Sequence, residues 1–154
     1  MHCIVIAFLC LVCFALFFIQ NSMRIASYNC RSSKRNTGGI QLLCNSCDIV
    51  FLQEHWLFPA DLPSLNRIHD EFMSFGISSM NVSDDIVLGR PYGGLAVMWR
   101  KHLTSKVKPV SFDDDRIIGV ECVVNSTKML LLGVYLPCNS STNFEDFLFS
   151  LGKI

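Results

Sequence analysis

The sequence predicts an α/β domain, and three observations carry that expectation. Residues from Met23 to Glu54 read as strand, helix, strand, a unit whose right-handed crossover lays its two strands parallel in one sheet. The stretch from Leu95 to Tyr135 reads as short β segments joined by tight polar connections, the pattern of an antiparallel meander. Finally, 154 residues with a formal net charge of +0 and 51% hydrophobic residues leave room for one domain. That balance excludes a disordered chain or a globally basic one, so any nucleic-acid contact must be local.

Each element has its own cause. Met23-Arg24-Ile25-Ala26-Ser27-Tyr28 alternates in the manner of a half-buried strand, and the polar, glycine-bearing run from Asn29 to Gly39 is a loop. Ile40, Leu43, Cys44 and Cys47 then fall at the spacing of one helix face. Ile49-Val50-Phe51-Leu52 is continuously apolar, as a strand buried on both faces must be, and it stops at Gln53-Glu54. A proline-containing loop from Pro59 to Pro63 and a short element around Leu65 to Phe75 follow. Gly89-Arg90-Pro91-Tyr92-Gly93-Gly94 is a turn-rich loop feeding a strand at Leu95 to Trp99. Val107 to Phe112, Ile117 to Val124 and Lys128 to Tyr135 complete the β run, with Asp113-Asp114-Asp115 and Asn125-Ser126-Thr127 as turns. Thr142 with Glu145 forms a capping box ahead of Phe144, Phe147, Leu148 and Leu151. This helix stops with the sequence at Ile154, which reads as an interrupted domain.

Residues 1–22 stand apart. Cys3 to Ile19 contains no polar side chain, a length at the short edge for a membrane span and above the usual signal-peptide core. Three readings stay open. As an anchor, the segment would leave the body on the cytoplasmic side, because Arg24, Arg31, Lys34 and Arg35 follow it. As a signal peptide it lacks a basic start and small exit residues. As an upstream extension, it precedes a true start at Met23 and leaves the protein intracellular or nuclear. The body is then residues 23–154.

The cysteines give little. Cys30, Cys44, Cys47, Cys122 and Cys138 in the body are odd in number and irregularly spaced, so no disulfide-linked partner is expected. Cys44 and Cys47 have metal-pair spacing but no second pair, and packing on a helix face explains them. Sequons at Asn81, Asn125 and Asn139 would matter only in a secretory lumen.

The chemical candidates are Asn29 at the end of the first strand, Glu54 at the end of the second, and Tyr135 with Asn139 after the last. Side chains at the carboxyl ends of neighbouring strands converge on one crevice. A carboxylate and a carboxamide there suit a hard cation such as Mg²⁺, which keeps water and phosphate in its remaining positions. At this point an exposed strand-end charge or an ion pair is the plainer explanation of Glu54, and turn capping that of Asn29.

Four segments in order carry a resemblance: Ser27-Tyr28-Asn29-Cys30, Phe51-Leu52-Gln53-Glu54-His55-Trp56, Tyr92-Gly93-Gly94-Leu95-Ala96-Val97 and Val134-Tyr135-Leu136-Pro137-Cys138-Asn139. Together they resemble successive motifs of the endonuclease/exonuclease/phosphatase family, most closely its non-LTR retrotransposon branch, akin to apurinic endonucleases. The resemblance implies a two-sheet β-sandwich with outer helices, of which this chain supplies the first part. It implies that Glu54 binds Mg²⁺ or Mn²⁺, weakly in a shortened chain. Asn29 would lie beside that metal, Tyr135 would approach the scissile phosphate, and Asn139 would be a neighbouring polar contact, although Cys138 intervenes in that motif. Arg90, Tyr92 and Gly93 would lie near the nucleic-acid backbone. Arg31 stands where some relatives carry an acidic residue, so a ligand there is lost.

The family's later motifs, Gly-Asp-Phe-Asn and Ser-Asp-His, do not occur in this sequence. The expectation is therefore a fragment of a Mg²⁺-dependent phosphodiesterase, a retroelement endonuclease that nicks DNA, inactive as given. One sheet's inner face would lack its partner, leaving a marginal monomer. The alternatives are a membrane-anchored, non-catalytic interaction module, with residues 3–19 in the membrane, or a relative that cleaves phospholipids or phosphoinositides.

Overall fold

The computed structural model describes residues 4–9, 14–19, 23–80, 89–124 and 126–136, together with Glu145 and Gly152. Among these residues nine strands make two sheets: β1 (Ile4–Leu9), β2 (Phe14–Ile19), β3 (Met23–Asn29), β4 (Ile49–Gln53), β5 (Phe72–Ile77), β6 (Leu95–Arg100), β7 (Val107–Ser111), β8 (Ile117–Val124) and β9 (Thr127–Val134). One helix, α1 (Thr37–Ser46), and two 3₁₀ helices, Pro59–Arg67 and Lys101–Leu103, complete the described elements. The five-stranded sheet runs β2-β3-β4-β6-β5 and the four-stranded one β1-β9-β8-β7.

The expected crossover is present: β3 and β4 are parallel neighbours, with Ile25 opposite Ile49 and Asn29 opposite Gln53. The meander is present too, since β7, β8 and β9 pair antiparallel in succession. The strand at Leu95 does not join it. β6 inserts antiparallel between β4 and β5 in the first sheet, because Ala96 and Met98 bury on the outer face with Val50 and Leu52 while Val97 and Trp99 bury on the inner face. Both faces of β6 are covered, so its apolar run belongs in a sheet centre.

The two sheets pack face to face. Ile25, Ile49, Phe51, Leu95, Val97 and Trp99 meet Ile118, Val120, Cys122, Val124, Met129 and Leu131 in one inner core. The inner face expected to stand bare is thus covered by the meander, whose alternate residues point inward. Gly133 is required there: a Cβ at this position would lie 2.5 Å from Cδ1 of Phe51. On the outer face, Ile40, Cys44 and Cys47 of the α1 region pack with Val50, Leu52, Leu65 and Phe72. Cys30, Cys44, Cys47 and Cys122 are free and buried, as packing residues are.

Several boundaries moved. α1 begins at Thr37 rather than Ile40, taking in Gly38 and Gly39. The loop expected at Pro59–Pro63 is a 3₁₀ helix with proline in its first turn, and the Leu65–Phe75 element splits between the end of that helix and β5. The apolar stretch within residues 3–19 differs most. Instead of one continuous segment it is two strands, β1 parallel to β9 and β2 antiparallel to β3, each occupying a sheet edge. Among the described residues no helix is long and apolar enough to cross a membrane. Bare edges at β3 and β9 would leave rows of unpaired backbone groups, which an apolar β-branched and aromatic segment satisfies by pairing. The capping-box helix, Glu145 and Gly152 apart, and the sequon asparagines Asn81, Asn125 and Asn139 lie outside the described residues.

Phe51 is fully buried between the sheets. Phe51→Ala is predicted to cost about 3–5 kcal/mol by urea unfolding, and a loss below about 1 kcal/mol would show that the sheets do not pack across it.

Candidate functional site

The site sits where β3, β4 and β9 end. Parallel pairing brings Asn29 level with Gln53, so the next residue, Glu54, falls beside Asn29. The chain then breaks from extended geometry: Glu54 and Trp56 both have φ of 55°, and across the gap Arg31 and Ser32 have φ of 42° and 92°. Left-handed backbone at residues other than glycine costs about 1–3 kcal/mol each and persists only where surroundings enforce it. The enforcing contacts are backbone hydrogen bonds between the two strand ends. Cys30 N donates to Gln53 O at 2.9 Å, Ser32 N to Glu54 O at 2.8 Å and Ser33 N to His55 O at 3.0 Å.

This turn aims the Glu54 carboxylate at two partners. Asn29 Nδ2 donates to Glu54 Oε1 at 2.8 Å, and Tyr135 Oη donates to the same oxygen at 2.8 Å. The Asn29 amide is oriented by its other atom, since Oδ1 accepts the Arg31 backbone N–H at 3.3 Å. Residues 25 and 81 positions distant from Glu54 thus converge on one half-buried oxygen. Among the sequence candidates, Asn29, Glu54 and Tyr135 are brought together. Arg90 and Tyr92 are on the surface, Tyr92 at 62% exposure. Their loop is tied back to the site: Trp56 N donates to Gly93 O at 3.1 Å, and Gly93 and Gly94 hold φ of 59° and 82°.

Sequence reasoning passed over three neighbours. His55 is fully buried, with Leu57 N donating to Nδ1 at 3.0 Å and Nε2 2.9 Å from the Ile77 carbonyl. That pattern assigns a neutral ring with its proton on Nε2. Gln53 donates Nε2 to Ser27 Oγ at 2.8 Å, while its Oε1 is buried with no hydrogen-bond partner among the described residues. Ser79 Oγ accepts the Gly94 N–H at 3.0 Å. No local pattern marks these roles, because apart from Leu57, two residues after His55, each partner lies on a different strand or loop.

The charged residues at the opposite pole are otherwise engaged. Arg100 bridges Asp48 at 3.4 Å and Glu71 at 2.9 Å, and Arg24 lies 3.6 Å from Asp48. Near the site, burial first and the Glu54 carboxylate as a lesser contribution push the Cys30 thiol up to about 12. It is a protonated packing residue at neutral pH, not a nucleophile. Burial also lowers the pKa of His55, with hydrogen bonds to the Ile77 and Leu95 backbone partly offsetting.

The sequence model of the Endonuclease/Exonuclease/phosphatase family matches residues 26–146, and the chain belongs to that family. Comparison with curated proteins gives no match. Among solved structures, the chain is similar to a 3′ phosphatase from Neisseria bound to product DNA hairpin, with a TM-score of 0.56 and 19% identity over 86% of this chain and 51% of that one. It is similar to an AP endonuclease from Archaeoglobus fulgidus, with a TM-score of 0.56 and 18% identity over 86% and 48%. A third is the endonuclease domain of TRAS1, a telomere-specific non-LTR retrotransposon, with a TM-score of 0.51 and 12% identity over 86% and 52%. At such identities the likeness is one of fold. The chain spans about half the length of each.

The His55 geometry makes a pH prediction. Its folded pKa lies below the unfolded value of 6.5, so its contribution to stability is complete above 6.5 and is lost as pH falls from there through the folded value. Urea unfolding of wild type against His55→Gln should show a steeper loss of stability between neutral and mildly acidic pH in the wild type. Parallel pH profiles would contradict a buried neutral ring.

Proposed function

We propose that this chain carries the metal-holding part of a divalent-cation-dependent phosphodiesterase that acts on nucleic acid, of the retroelement endonuclease kind that nicks DNA. The observation that carries the reading is the convergence of Asn29 and Tyr135 on one oxygen of Glu54. A carboxylate serving only as a strand-end charge needs neither donor.

The residues fit a hard cation. Both hydrogen bonds land on Oε1 of Glu54, so neither engages Oε2, and one residue earlier the buried Gln53 Oε1 has no hydrogen-bond partner among the described residues. Among the described residues there is no cluster of three His, Cys, Asp or Glu side chains. One carboxylate with water and phosphate completing the shell is the manner of Mg²⁺ or Mn²⁺ rather than of zinc. When bound, the cation supplies Lewis-acid stabilisation of charge on a phosphate. Glu54 would hold it, Asn29 would fix the carboxylate rotamer, and Tyr135 would hold its hydroxyl toward the space a phosphate oxygen enters. Arg90 and Tyr92, on the exposed loop pinned through Gly93, suit contacts to a nucleic-acid backbone, which position a substrate without reading its sequence.

In-line hydrolysis also requires a positioned base for the attacking water. His55 does not serve, since it is buried and both ring nitrogens are engaged. The Gly-Asp-Phe-Asn and Ser-Asp-His motifs that the family uses are not in this sequence. The chain by itself is therefore a binder that does not cut.

Anisotropy of a labelled duplex oligonucleotide tests both parts. Binding is predicted to tighten on adding Mg²⁺, Glu54→Gln to remove the Mg²⁺-dependent part, and supercoiled plasmid to stay intact. Binding indifferent to Mg²⁺ would remove the metal reading. Nicking abolished by Glu54→Gln would show that the chain supplies its own base.

A further inference from the structure

The residue after Glu54 is built into the fold more tightly than the carboxylate itself. His55 has no exposed surface, whereas Glu54 is half-buried. The two residues flanking His55 are both left-handed, so the ring is the fixed point about which the strand end turns. Three segments hold it. Leu57 N–H donates to Nδ1, the Ile77 carbonyl at the end of β5 accepts from Nε2, and Ser33 donates to the His55 carbonyl through both its N–H at 3.0 Å and its Oγ at 3.1 Å.

A fourth segment makes room for it. A Cβ built on Gly94 would lie 2.5 Å from His55 Nε2 and 3.0 Å from Nδ1, so only glycine fits beside the ring. Gly94 itself donates to Ser79 Oγ, and the neighbouring Gly93 carbonyl accepts from Trp56. The ring thus ties the strand end that carries Glu54 to the loop that carries Arg90 and Tyr92. Moving it displaces both.

We propose that His55 is a positioning residue that places the Glu54 carboxylate for a divalent cation, acting through the bolted junction of the β4 end, the β5 end and the Tyr92–Gly94 loop. The inference rests on the metal reading of Glu54. A ring that never touches the ligand still sets affinity through the orientation of the group that does. Such partners change metal affinity about 10–100-fold when removed.

The test is Mn²⁺ affinity of the whole chain, read by electron paramagnetic resonance of free Mn²⁺. His55→Ala is expected to weaken binding about 10-fold or more. Gly94→Ala, which leaves the imidazole in the chain but drives it aside, is expected to do the same, and it keeps the proposal testable if His55→Ala fails to fold. His55→Gln, which retains a donor for the Ile77 carbonyl, should recover part of the loss. Val124→Ala serves as the control, since it removes buried side-chain volume beside Met23 and Asp48 at the opposite pole, and should lower stability while leaving Mn²⁺ affinity unchanged. Folded His55→Ala and Gly94→Ala proteins with wild-type affinity, beside a loss in Glu54→Gln, would overturn the role of His55 alone. Absence of Mn²⁺ binding in the wild type, or unchanged binding in Glu54→Gln, would overturn the metal reading and this inference with it.

Discussion

The structure turns on one constraint: a strand buried on both faces must end, and the first residue past its end must present a carboxylate without fraying the sheet. β4 has no exposed residue along its length. Its neighbour β3 ends level with it, and the two chains leave the sheet together through reciprocal left-handed residues, Arg31 and Ser32 on one side and Glu54 and Trp56 on the other. Backbone hydrogen bonds stitch these exits together. The strain is local, and the buried sheet and the His55 junction supply what sustains it.

The sandwich serves this end. The inner core fixes β3, β4 and β9 against one another, so that Tyr135, at the far end of the meander, arrives 2.8 Å from a carboxylate oxygen set by the other sheet. A hydrogen bond between sheets at the rim of a packed core is sensitive to their relative position. Slippage between the sheets would therefore be felt first at Glu54. Phe51, three residues earlier on the same strand and seated against Gly133, resists such slippage.

Much of this was legible in the residues. The parallel β3-β4 pair followed from a helix-spaced stripe between two β runs, and the β7-β8-β9 meander from polar turns at regular intervals. Glu54 and Asn29 stood out because strand ends point at a common crevice. What stayed hidden is non-local. β6 left the meander because its neighbours on both faces come from distant segments, which periodicity along one strand does not reveal. Cys3 to Ile19 is apolar whether it enters a lipid phase or completes sheet edges, and hydropathy alone does not separate those outcomes. His55 looked unremarkable because its partners, Leu57, Ile77 and Gly94, share no motif with it.

If Glu54, steadied by Asn29 and Tyr135, takes a divalent cation, substoichiometric Mn²⁺ must broaden the ¹H–¹⁵N resonances around it. The Asn29 side-chain amide and the backbone amides of Glu54 and Ser32 should then broaden first. Broadening centred instead on Asp48 and Glu71, the carboxylates of the opposite pole, with the Asn29 amide untouched, would contradict a cation site at Glu54.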